Sequence, residues 1–215
     1  MNKNQKILVT LTLAAVFYIL LSLGRYWYAD SLYAKAKSFN RNGDPQSGEE
    51  HIKKAITITP REPVYHLELA ESYTKLNKPE DAVNESNKAI ELSPNNVNYK
   101  RVTFSILIRL AQSDPKYLLS AIDILKSAIN EAPTDAKLIY NLGLTYARIG
   151  EFEVAMEEIE KATLLKPNYK EARLALAYLW IDKKDNDKAK EQLEYILNFI
   201  DSNDDLVKTT LKDLK

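Results

Sequence analysis

AKLIYNLGLTYARIGEFEVAMEEIEKATLLKPNY, residues 136–169, decides the fold. Its apolar residues recur at i, i+3, i+4 and i+7 in two runs, which is the period of an amphipathic helix. Gly150 divides the runs, and glycine takes a left-handed turn conformation at little cost. Pro167 stops the second run, because proline lacks a donor for the helix ladder and its ring clashes with the preceding turn. The stretch therefore predicts helix, tight turn, helix, stop. Few segments anywhere in the chain alternate strictly in twos, so strands are hardly represented.

The same phrase recurs along the chain. Prolines stand at 60, 94, 133 and 167, separated by 34, 39 and 34 residues, and close AITITP, AIELSP, AINEAP and ATLLKP. A 34-residue helical hairpin of this pattern resembles the tetratricopeptide repeat. Numbering each copy so that its closing proline is position 32 aligns the small residues. Position 8 is Ala36, Ala70, Gly143 and Ala177; position 20 is Gly48, Ala82, Ala121, Ala155 and Ala189. Small side chains at both let the two helices of one hairpin interlock. Position 11 is large throughout (Phe39, Tyr73, Leu107, Tyr146, Trp180), and position 27 is Ala55, Ala89, Ala128, Ala162 and Ile196. Gly43 and Gly150 occupy position 15, the turn.

The resemblance implies an all-α tetratricopeptide-repeat superhelix of about five hairpins, residues 29–62, 63–96, 97–135, 136–169 and 170–203. The third copy departs from the pattern, with Phe104 at position 8 and five extra residues around Ala111–Tyr117. The fifth lacks its closing proline. A last helix over Asp204–Leu214, with Asn203 read as its N-cap, is expected to cover the final apolar face, so residues 204–215 form a cap.

Ahead of the array lies a different composition. The chain has 215 residues, with 30 basic against 30 acidic groups and no cysteine. Residues 1–28 hold Lys3, Lys6 and Arg25 and no acid, which leaves 27 basic and 30 acidic groups in the remainder. Residues 7–24, ILVTLTLAAVFYILLSLG, are uncharged. As a helix they reach roughly 27 Å, close to the hydrocarbon thickness of a bilayer. Tyr26, Trp27 and Tyr28 follow, residue types that suit the headgroup layer. Residues 1–28 are thus expected to be a membrane anchor. Lys3 and Lys6 before the span favour a cytoplasmic N-terminus and an extracytoplasmic repeat domain in a single-pass protein. The rival reading is a cleaved secretory signal, though Leu-Ser-Leu-Gly-Arg makes a poor cleavage site. A lipoprotein signal would need a cysteine.

Catalytic signatures are missing. No GxSxG, P-loop, dinucleotide fingerprint or HExxH occurs, so neither enzyme chemistry nor a cofactor is expected. His51 and His66 fall on different helices and read as packing or surface residues rather than metal ligands. Acid pairs such as Glu157-Glu158 sit among lysines three or four residues away, as on a solvated helix face. Asn84-Glu85-Ser86 matches a glycosylation sequon within a helix, where chance explains it better. Balanced charge argues against a nucleic-acid partner.

What the repeat implies instead is a groove lined by the first helix of each hairpin, at positions 2, 5, 9, 12 and 13. Arg101, Arg109, Lys137, Tyr140, Leu144, Arg148 and Tyr178 are the candidate partner-binding residues there. Arginine forks and tyrosine faces suit an extended peptide or acidic segment. Clamps for a terminal carboxylate in this repeat family need a set of Lys, Asn and Arg that is not met: Asn141 fits, but Arg101, Ser105, Glu171 and Ala175 do not.

The leading functional reading is a membrane-anchored interaction scaffold that holds a protein or peptide partner, with no small-molecule substrate. The phrase from Arg25 to Ala70 also resembles, loosely, the junction between membrane helix and repeats in bacterial O-antigen ligase or polymerase-like proteins. That would make the chain an accessory or truncated part of an envelope glycan assembly protein. A soluble secreted repeat protein, with a mature chain beginning after Gly24, is the third reading.

Overall fold

The computed structural model describes residues 2–214. Among them are eleven helices and no strand: α1 (Lys3–Arg41), α2 (Pro45–Ile58), α3 (Pro63–Lys75), α4 (Pro79–Leu92), α5 (Val97–Leu110), α6 (Tyr117–Glu131), α7 (Ala136–Arg148), α8 (Phe152–Leu165), α9 (Lys170–Asp182), α10 (Asn186–Phe199) and α11 (Asp205–Asp213). The all-α class is as expected. They form two compact units, residues 1–110 and 111–215, so α1–α5 belong to the first and α6–α11 to the second.

One turn geometry joins α1–α2, α3–α4, α7–α8 and α9–α10. The residue at position 15 has a positive φ in each: Gly43 at 83°, Asn77 at 56°, Gly150 at 86° and Lys184 at 62°. The next amide then reaches back across the turn. Asp44 donates to the Phe39 carbonyl at 3.0 Å, Lys78 to Tyr73 at 2.9 Å, Glu151 to Tyr146 at 3.0 Å and Asp185 to Trp180 at 2.9 Å. This six-to-one bond satisfies a carbonyl that the helix end leaves without an internal partner. Asn77 and Lys184 do the work that sequence reading assigned only to glycine.

The second helix of each hairpin stops for a steric reason. Thr59, Ser93, Ala132 and Lys166 stand before the closing prolines, with φ between −147° and −133° and ψ between 69° and 86°. A following proline excludes the helical region for such a residue. Ile200, without that proline, keeps a ψ of −55°. Starts are marked too. Pro45, Pro63 and Pro79 lead their helices, where the missing amide hydrogen costs nothing. Asp44, Asp135 and Asp185 cap α2, α7 and α10 through their carboxylates.

The small positions are the close-packed ones. Ala36, Gly48, Ala70, Ala82, Ala121, Ala155, Ala177 and Ala189 are all buried. In the second unit Ile139, Met156, Ile159, Ala162, Tyr169, Ala172 and Leu176 make one continuous core. α11 closes its far end: Val207 is fully buried with Ala177, Leu193 and Ile196. The cap of α11 is Asp204, whose side chain accepts from the Val207 amide at 3.0 Å, one residue beyond the expected Asn203. Asn203 instead donates its amide to Asp201 at 3.2 Å, and Lys170 bridges Asp201 and Asp204 at 2.8 and 2.6 Å.

α1 runs unbroken through residue 28. None of residues 3–28 is buried, and burial begins at Ala29. Thr10, Thr12 and Ser22 donate their hydroxyls to the carbonyls of Lys6, Leu8 and Tyr18, four residues back, at 2.9–3.0 Å. These three hydroxyls of the apolar stretch are thereby satisfied within the helix itself.

His66 is the one histidine in a core position, 6% exposed. Its Nδ1 lies 2.7 Å from the Glu85 carboxylate of α4, and its Nε2 lies 3.0 Å from the Pro60 carbonyl. Both partners are acceptors, so the geometry favours the protonated ring, in which both nitrogens can donate. The hydrogen bond to Glu85 raises its pKa above the ordinary 6.5, against the opposing effect of burial and of nearby Lys88. Stability from a raised histidine is complete below the unfolded value and drains as pH rises through the folded one. Unfolding midpoints of the full chain are therefore expected to fall as pH rises above 6.5, and His66→Gln is expected to flatten that slope. An equally steep slope in the variant would locate it elsewhere.

Candidate partner-binding surface

The first helices of the hairpins were expected to carry the binding residues, and the two units present them differently. In the first unit this face is internally committed. The Tyr65 hydroxyl donates to Asp30, the Tyr33 and Tyr65 rings stack at 5.4 Å, and Lys37 lies 5.8 Å from the Tyr33 ring centre. Asn40, expected to line the groove, is buried at 2% exposure. Its side-chain amide donates to Glu68 at 2.7 Å and Ser72 at 2.8 Å, and its backbone carbonyl accepts from Lys75 at 2.6 Å. Burial pushes the Glu68 carboxyl up.

Arg109 on α5 closes this network. Its guanidinium takes the Glu71 carboxylate of α3 with both terminal nitrogens, one at 2.8 Å. The hydrogen bonds from Arg109 hold Glu71 below the usual carboxylate range. Lys75 stands 3.5 Å from the same carboxylate. A bidentate, half-buried pair of this kind joins two helices, and a ligand carboxylate would have to displace Glu71 to use Arg109. Arg101 lies two turns earlier on α5 and is exposed. Glu68, Ser72 and Tyr65 were not among the expected site residues, yet they organise the face.

The second unit collects the other five candidates. Lys137, Tyr140, Leu144 and Arg148 follow one another at intervals of three and four along α7, one stripe of a helix. Asp135 fixes its start by accepting from the Lys137 and Leu138 amides at 3.0 and 3.2 Å. Lys137 and Arg148, at the two ends of the stripe, are exposed. Tyr140 and Leu144 between them are half-buried against the core. The Tyr140 ring meets Tyr169 at 5.0 Å, tilted by 57°. Burial raises the Tyr140 phenol, with Glu171 adding to it, so the ring stays neutral at physiological pH. Tyr178 on α9 is 42% exposed. The result is an apolar, aromatic centre between two exposed cations.

No cluster of three or more His, Asp or Glu suited to a metal occurs among the described residues. His51 is a packing residue, its ring 4.9 Å from Phe39 and its Nδ1 2.8 Å from the Ser47 carbonyl. Ser86 of the sequon is buried and bonded to the Val83 carbonyl.

Two stretches, 64–96 and 136–169, match the tetratricopeptide repeat model. They coincide with α3–α4 and α7–α8. No curated protein sequence matches the chain significantly. Solved structures do. The chain resembles MamA from Desulfovibrio magneticus RS-1, at 22% identity and a TM-score of 0.66 over 82% of this chain and 97% of that one. It resembles PilF of Pseudomonas aeruginosa at 21% identity and 0.63, over 80% and 76%. It also resembles YrrB, a tetratricopeptide-repeat protein with an unusual peptide-binding site, at 15% identity and 0.62, over 85% and 90%. At these identities the likeness is one of fold, and the fold is the tetratricopeptide repeat.

Proposed function

We propose that this tetratricopeptide-repeat chain is a membrane-tethered scaffold that captures a protein partner through an extended acidic or aromatic-bearing segment laid along α7 and α9. The observation that carries the reading is the stripe Lys137, Tyr140, Leu144, Arg148 on α7; Tyr178, exposed on α9, is the further contact expected. An exposed cation at each end of an apolar centre matches a peptide that buries a side chain in the middle and offers carboxylates on either side. Arg109, tied to Glu71, is left to hold the first unit together. The membrane part of the reading rests on α1, whose apolar stretch has no buried residue. An N-terminal tether would raise the local concentration of a weakly held partner, so modest affinity would suffice. The fold shared with YrrB adds a precedent for peptide binding.

The test places a photo-crosslinking residue at Tyr178 and, for comparison, at exposed Glu157 on α8, in the full chain in its own membrane. A discrete adduct from Tyr178 and none from Glu157 is the expected result. Lys137→Glu with Arg148→Glu is expected to reduce that adduct by roughly tenfold or more, since each charge-assisted contact contributes about 1.5–3 kcal/mol. Equal adducts from both faces, or no loss in the double variant, would place the contact surface elsewhere.

A further inference from the structure

Where α1 leaves its apolar stretch, the connection between α2 and α3 comes down against it. Tyr18, Leu21, Ser22, Arg25 and Tyr26 of the helix face Ile58–Glu62, and a cavity of about 430 Å³ lies between them. Arg25 donates to the Ile58 carbonyl at 3.4 Å, which holds its guanidinium against the connection. Arg61 is exposed on the other side. Among the described residues neither arginine forms an ion pair, and the single acid in the lining is Glu62. His66 anchors this same connection through its contact with the Pro60 carbonyl.

We infer that this cavity holds an anionic phospholipid, its phosphate between Arg25 and Arg61 and an acyl chain along Leu21 and Tyr18. The inference rests on the membrane reading of α1. Arg25 comes directly after Gly24, where the uncharged stretch ends, so its guanidinium stands at headgroup height. Leu21 and Tyr18 lie one and two turns deeper, roughly 6 and 10 Å along the axis. That is the order in which a glycerophospholipid presents phosphate and chain. Tyr26, Trp27 and Tyr28 are each more than half exposed and set the helix at the same level. Two guanidinium groups against one carboxylate favour an anionic over a zwitterionic headgroup. A guanidinium also suits phosphate, because its fork can donate to two oxygens at once. The lipid would fasten the first repeat to the bilayer surface and fix how the array stands on its tether.

The experiment uses the full chain, purified in mild detergent and exposed to equal amounts of phosphatidylglycerol and phosphatidylcholine, with retained lipid weighed by native mass spectrometry. Wild type is expected to retain phosphatidylglycerol selectively. Arg25→Gln and Arg61→Gln are each expected to lower that selectivity by about fivefold, while Lys3→Gln with Lys6→Gln leaves it unchanged. Unchanged selectivity in the Arg25→Gln, Arg61→Gln double variant would overturn the inference. So would loss of the lipid to millimolar inorganic phosphate, which would mark a site for free anions. Alkali extraction of membranes separates the two levels: release of wild-type chain defeats the membrane reading and this one together. Retention with unchanged lipid selectivity defeats this one alone.

Discussion

Gly143→Ala is expected to destabilise the second unit by about 1–3 kcal/mol, although alanine is the better helix former by about 1 kcal/mol. A Cβ built at Gly143 would lie 2.6 Å from Ile159 Cγ1, 2.9 Å from the Ala155 carbonyl oxygen and 3.2 Å from the Ile159 amide nitrogen. Two of these neighbours are backbone, so no rotamer change relieves the contact, and α7 must move away from α8. That separation loosens Ile139, Met156 and Ile159, which share one core. Ala155→Leu attacks the same crossing from the α8 side, where Ala155 has no exposure, and is expected to cost a similar amount. Gly24→Ala is the control: nothing lies within 4 Å of its Cβ, so the propensity gain is unopposed. Urea midpoints of the three variants, with hydrogen exchange along α7 and α8, decide the matter. A Gly143→Ala chain as stable as wild type would mean that the helices are free to part.

The repeat was legible for the same reason that Gly143 is sensitive. Where two backbones approach, side-chain size is fixed from both sides, and Gly48, Ala82, Ala121, Ala155 and Ala189 record that constraint at intervals of 34, 39, 34 and 34 residues. The closing prolines are equally plain, because each forces its predecessor out of the helical region. The turn was half legible. Gly43 and Gly150 announce a positive φ, whereas Asn77 and Lys184 adopt it under the pull of the six-to-one bond and leave no comparable mark in the sequence. Asparagine tolerates that region better than lysine does, so a pattern built on glycine finds two turns of four. The start of the array was legible as composition alone. Backbone hydrogen bonding has no reason to stop at Tyr28, and α1 continues to Arg41.

The candidate surface was readable as a set of positions and unreadable as a set of free groups. Repeat numbering brings Arg109 to the first-helix face, but its engagement depends on Glu71, 38 residues away on another helix, reaching it with both carboxylate oxygens. Asn40 likewise reads as a groove residue until Glu68, Ser72 and Lys75 enclose it. His66 occupies a slot that usually holds an apolar side chain, and only the joint placement of Glu85 and Pro60 turns it into a cationic brace. In each case a polar side chain near the core has found a partner on a neighbouring helix, as burial requires. Periodicity identifies which faces meet and says nothing about which long side chains close the gap. The second unit escapes this difficulty because Lys137 and Arg148 sit at the two ends of α7, beyond the reach of the core.

If residues 1–28 anchor the chain as proposed, removing them is expected to turn a chain that resists alkali extraction into one that alkali releases, with its repeats intact. Eleven of the eighteen residues from Ile7 to Gly24 are Leu, Ile, Phe or Val. At roughly 0.3–0.6 kcal/mol each near the centre of a bilayer, they favour insertion by about 3–7 kcal/mol, with no charge in the stretch to oppose them. The hydroxyls of Thr10, Thr12 and Ser22, bonded to their own helix, subtract little from that total. Against this, the segment gives the array little. None of residues 3–28 is buried, and among the described residues its one hydrogen bond beyond α1 is from Arg25 to the Ile58 carbonyl. Ala29, Leu32, Ala36 and Asn40, which do hold α2 and α3, all lie after the cut. A shortened α1 of thirteen residues is still as long as α3, α7 or α9. Circular dichroism of the truncated chain should therefore show a cooperative helical protein, and alkali extraction should release it while leaving the full chain in the pellet. A full chain that alkali releases would show that the apolar stretch does not hold it in the bilayer. An insoluble or unfolded truncation would show that α1 is a single structural element whose exposed half is needed by its buried half.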